Sequence, residues 1–136
     1  MYEELTAFLP RLQNTSFGVW DIDRENDGTA AHPIRLPSVD YSPVVWDFIK
    51  TAYRFLDQHK EMELTNYHEI LSANFKSGNY ADVDVSSADG RAVMALIIGA
   101  IRAERFCDGA LLGCLEGGSI TRWLLRLKEI DKELSA

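Results

Sequence analysis

The residues best equipped for chemistry in this sequence stand together in one run, Ile101-Arg102-Ala103-Glu104-Arg105-Phe106-Cys107-Asp108-Gly109. Arg102 and Arg105 are the candidate ligand-binding residues, because a guanidinium offers a fixed fork of donors to an anion. Glu104 and Asp108, one helical turn apart, are the candidate catalytic residues. If they shared a cleft, burial and mutual repulsion would raise one pKa and create an acid–base pair. The plainer expectation for Glu104 is structural. It falls in line with Val93, Ile97 and Ile101 on a buried helix face, so its carboxylate needs a partner from another element, with Arg122, Arg126 or Arg54 as the candidates. Such a pair would fix how the helices assemble.

The element that must position this knot is the apolar run from Ala92 to Ile101. At 100° per residue its large side chains cover more than half the circumference, which predicts a buried central helix over about 89–106, capped by Ser87 or Asp89. The small residues Ala95, Gly99 and Ala103 lie on its remaining side and predict a close helix crossing. Around this helix the periodicity predicts four more. A first helix spans Tyr2 to Leu12 and bends at Pro10 or ends before it. Ser42-Pro43 starts a helix that runs to Gln58, with Ser42 as its cap. Asn66 and Glu69 form a capping box for a short helix ending near Gly78. Ser119, after the Gly117-Gly118 break, caps a last helix with a stripe of Ile120, Trp123, Leu124, Leu127 and Ile130. The segment Ala110 to Leu115 adds a sixth, after an interruption at Cys107-Asp108-Gly109. The expected fold is therefore all-α, a single domain of about six helices. A long irregular acidic loop, rich in turn residues, interrupts it at about 13–41 and has room for a short strand near Phe17 to Ile22.

The same run, with the later Trp123-Leu124 and Arg126-Leu127-Lys128 steps, resembles a family of small uncharacterised bacterial proteins catalogued as a domain of unknown function. The resemblance covers about residues 97–130 and implies no activity, so it assigns no functional residue.

Composition excludes several function classes. With 46% hydrophobic and 26% charged residues, the chain is an ordinary globular sequence. The apolar run is too short to span a bilayer, and the N-terminus lacks the pattern of a signal peptide, so a cytoplasmic location is expected. The net charge is −7, and residues 1–90 carry 15 acids against 7 bases. That balance disfavours nucleic acid as a partner. Cys107 and Cys114 show no ligand spacing with the three histidines, and no metal or other cofactor is expected. Asp23, Glu25, Asp27 and Gly28 imitate the start of a calcium loop, but its twelfth position is Ile34 where a bidentate Glu is required.

With no catalytic motif present, a protein-interaction or regulatory module is the first reading, with another protein or a second copy as partner. Its candidate surface is Trp46, Tyr53 and Leu125, which sit at the rims of helical stripes. The alternative is a binding domain or enzyme for a small anionic ligand, using Arg102, Glu104, Arg105 and Asp108. A helix-turn-helix nucleic-acid reader, presenting Arg122 and Arg126, comes last because acids surround them.

Overall fold

The computed structural model describes residues 1–13, 15–21, 38–76 and 78–135. Among these residues, six α-helices build one hydrophobic core: α1 (Glu3–Thr6), α2 (Pro43–Gln58), α3 (Tyr67–Asn74), α4 (Gly90–Ala103), α5 (Ala110–Glu116) and α6 (Ser119–Ser135). Two short strands, β1 (Gly18–Asp21) and β2 (Ser38–Tyr41), pair antiparallel with Gly18 opposite Tyr41. The described ends of the expected acidic loop are thus a ladder rather than irregular chain, and the calcium-like positions 23–28 lie outside the described residues.

The central helix is α4. Val93, Met94, Ala95, Ile97 and Ile98 are fully buried. At about 1.5–3 kcal/mol for each large aliphatic side chain taken out of water, this helix contributes heavily to the stability of the core. Asp89 starts it by accepting the Ala92 amide at 2.8 Å, as the cap pattern predicts. The helix ends at Ala103, earlier than its periodicity suggests, because residues 104–109 turn to enter α5. The small-residue side packs on α3, where an added Cβ at Gly99 would stand 3.3 Å from Tyr67 Cδ2 and 3.5 Å from Leu71 Cδ1.

Capping follows sequence less closely elsewhere. Ser42 precedes α2, but its hydroxyl is buried without a partner among the described residues, and the Asn66 side chain makes no cap for α3. Helix α3 also stops at Asn74, short of Gly78. The first helix breaks before Pro10, leaving a single 3₁₀ turn over Pro10–Leu12. Ser119 uses its hydroxyl to donate to the Ala81 carbonyl at 2.8 Å.

Helix α6 closes the fold at both edges. Its Asp131 accepts the backbone N–H of Tyr2 at 2.9 Å, and the Tyr2 ring stacks on Phe55 with centroids 5.4 Å apart. Along the same helix Arg122 donates to the Ala81 carbonyl, while Arg126 Nε donates to the Ala88 carbonyl at 3.0 Å. The arginines that a helix-turn-helix would present thus hold the 81–88 segment against α6.

Candidate functional site

The polar knot after α4 does not assemble as one site. Glu104 turns its carboxylate onto the start of α5: Oε2 accepts the Gly109 amide at 2.9 Å and Oε1 the Leu111 amide at 3.0 Å. The Tyr41 hydroxyl donates to Oε1 at 2.7 Å and accepts the Leu112 amide at 3.0 Å. Glu104 is therefore held by backbone amides and a tyrosine, and not by Arg122, Arg126 or Arg54. The physical reason is the turn itself. A helix N-terminus leaves amides without intrahelical partners, and a carboxylate there also meets the positive end of the helix dipole. Arg54 reaches Glu4 instead, at 3.7 Å. Burial and the bond to Glu104 hold the Tyr41 hydroxyl protonated well above its usual range.

Gly109 closes the arrangement. Its φ of +90° suits glycine, and a Cβ there would fall 2.5 Å from Trp20 Cζ2. The β-ladder thus contributes two aromatic residues to the turn, Trp20 against Gly109 and Tyr41 against Glu104.

The other three members of the knot diverge. Asp108 is exposed in the turn. Arg105 is exposed and borders a groove of about 320 Å³ with Tyr41, Trp46, Ile49, Tyr53 and Glu104. Arg102 is half-buried on the side of α3, its guanidinium carbon 5.7 Å from the centroid of the Tyr67 ring. Of the candidate interaction residues, Trp46 and Tyr53 meet in that groove. Leu125 stands apart, 48% exposed, over a hollow formed by residues 82–86 with Arg122 and Arg126.

A further concavity was not foreseen. Between α3, α4, α5 and α6 lies a cleft of about 490 Å³, within the usual range for small-molecule sites. Tyr67 and Leu71 come from α3, and Gly99 and Ala103 from α4, where the small residues that admit α3 also leave space. Phe106 and Cys107 follow on the turn, Cys114 projects from α5, and Trp123 from α6; Tyr80 completes the aromatic lining. Trp123 is 1% exposed, and its indole N–H has no hydrogen-bond partner among the described residues. Buried indole N–H groups are normally paired. Sequence periodicity places Trp123 in the core stripe of α6, and nothing in that pattern reports that its polar edge goes unmatched. Burial pushes the Cys114 thiol up, whereas Cys107 is exposed.

Among the described residues, no three His, Cys, Asp or Glu side chains gather as a metal site, and no helix is long and apolar enough to cross a membrane.

Fold and concavity together define a predominantly helical domain with an aromatic-lined cleft beside its central helix. The chain belongs to the family of unknown function DUF6508, which it matches over residues 1–133. The match reaches far beyond the 97–130 region that carries the sequence resemblance. Comparisons with curated proteins and with solved structures returned no match.

Proposed function

We propose that this chain is a small-molecule-binding domain whose ligand occupies the cleft between α3, α4, α5 and α6. The supporting observation is the lining: Tyr67, Leu71, Tyr80, Leu96, Phe106 and Trp123 give a cleft of about 490 Å³ an apolar, aromatic wall. The Trp123 ring forms part of that wall, so an occupant of the cleft changes the surroundings of its indole. A ligand with a largely apolar body fits the aromatic lining. Glu104 serves as a structural cap in this reading, and no side chain of the cleft is asked to perform chemistry.

The test is a fragment screen followed by ¹H–¹⁵N spectra of the three tryptophan indoles, with Trp123→Phe used to assign the Trp123 signal. Binders should shift that signal and lose affinity in Gly99→Leu, which fills the cleft from α4. Hits that move only the Trp46 signal would instead favour a second reading, protein recognition at the Trp46 and Tyr53 groove, where Trp46 is 51% exposed. A screen without any perturbation at Trp123 overturns the cleft reading.

A further inference from the structure

Resting on the cleft reading, we infer that the cleft ligand is an apolar α,β-unsaturated carbonyl compound, and that Cys107 at the rim captures it as a thioether. Two features of the lining carry this. Among the described residues it holds no Asp, Glu, Lys or Arg, although 26% of the chain is charged. A charged ligand would leave water with no opposite charge to meet it, so the ligand that fits is neutral. The lining also holds both cysteines of the sequence, Cys107 from the turn after α4 and Cys114 from α5. In a wall otherwise built of aromatic and small apolar residues, these thiols are the soft nucleophiles, and the partner chemistry of a soft nucleophile is a carbon electrophile.

The two thiols are not equivalent. Cys114 is half-buried, and burial favours its protonated, unreactive form. Cys107 is exposed, and its backbone is tied on both sides: its N–H donates to the Ala103 carbonyl and its carbonyl accepts the Ala110 amide, each at 3.0 Å. Glu104 holds the same turn against α5 through the Gly109 and Leu111 amides. Cys107 thus stands on a fixed support at the edge of the cleft, beside Phe106, which is 87% exposed and also lines it. A flat, conjugated ligand lying on Tyr67, Tyr80 and Trp123 is held next to a thiol, and holding both reactants in place replaces a bimolecular encounter by a local one. In the step itself the thiol gives its proton to water and the sulfur forms a bond to the β-carbon. The π pair moves onto the carbonyl oxygen as an enolate, and a proton from water returns to the α-carbon. Thiol and enone sum to the thioether, with no oxidant and no leaving group.

The experiment treats the full chain with benzylideneacetone, an aryl enone, and with benzylacetone, its saturated and unreactive counterpart. Mass spectrometry with peptide mapping follows the adduct, glutathione serves as the free-thiol reference, and the Trp123 indole signal reports occupancy. Addition at Cys107 should level off as the enone concentration rises, and at low concentration it should outpace glutathione by at least about tenfold. Benzylacetone should shift the Trp123 signal and slow the addition in competition. Cys107→Ser, a change at an exposed position, should keep that shift and lose the adduct. If benzylacetone shifts Trp123 but the enone adds to Cys107 no faster than to glutathione, in strict proportion to its concentration, the capture inference is overturned and the cleft reading stands. Addition at Cys114 in place of Cys107 also overturns it. If neither compound perturbs Trp123, both readings fall.

Discussion

The Tyr41 hydroxyl stands 2.7 Å from Glu104 Oε1 and 3.0 Å from the Leu112 amide, so one phenol joins the carboxylate to the first turn of α5. Tyr41→Phe leaves an oxygen and an amide each short of one partner and should cost about 1–3 kcal/mol. Glu104→Gln turns one acceptor into a donor facing amides and should cost at least as much. Urea unfolding at neutral pH measures both, and an unchanged midpoint for Glu104→Gln would show that water replaces the cap.

The same bond predicts a difference at alkaline pH. Burial, and then the bond to Glu104, raise the folded-state pKa of Tyr41 above its ordinary value of 10.0. Folding therefore favours the protonated phenol. Its contribution is complete below about pH 10 and is lost as pH climbs from there through the folded-state value. The unmodified chain should lose stability more steeply above pH 10 than Tyr41→Phe does. Parallel slopes for the two in urea midpoints against pH would remove Tyr41 as the source.

Gly109→Ala should destabilise for two separable reasons, a φ of +90° and a clash with Trp20. Together they should cost about 1–3 kcal/mol or more. Adding Trp20→Ala should restore the steric part and leave the backbone part, which a double-mutant cycle of unfolding free energies resolves. Strict additivity would mean that the ring does not press on this turn.

Gly99→Ala brings a Cβ to 3.3 Å from Tyr67 Cδ2 and should be tolerated with a small shift of that ring. Gly99→Leu overpacks the crossing and should cost about 1–3 kcal/mol. Thermal unfolding of the pair checks the contrast, and equal melting temperatures for glycine and leucine would show that the α3–α4 face opens readily.

Cys107 is exposed and Cys114 is half-buried with its thiol pushed up by burial. Alkylation near pH 8 should modify Cys107 first, because the thiolate is the reactive form and must also be reached. Mass spectrometry of a time course reads the order. A ligand in the cleft should slow both reactions, since both cysteines line it.

Periodicity makes the helical frame legible. The stripes of α2, α4 and α6 follow directly from residues such as Phe48, Ile97 and Leu124, all buried as their spacing requires. Asp89 is legible as a cap because the interaction lies within three residues. Glu104 shows the opposite case. Its line-up with Ile97 and Ile101 marks it as inward-facing, but its partner Tyr41 is 63 residues away, at the end of a strand paired across the turn-rich stretch. Local rules also overestimate caps: Ser42 and Asn66 have the right type and position, yet their side chains do not cap their helices. The cleft is illegible for a related reason. It arises from small residues on α4 meeting aromatics from four other segments, and spacing within any single helix does not encode that meeting.

The bond from the Tyr2 amide to Asp131 joins residues 129 apart. During synthesis, the first segment has no such acceptor until Asp131 has left the ribosome. Closing that loop carries an entropic cost that local helix formation does not share, and contacts so distant in sequence slow the search for the native state. The docking of α1 on α6 therefore belongs to the late stages of folding. Until it happens, apolar side chains of the first segment such as Leu5, which is buried in the finished structure, are less fully covered and more open to chaperones and to wrong partners.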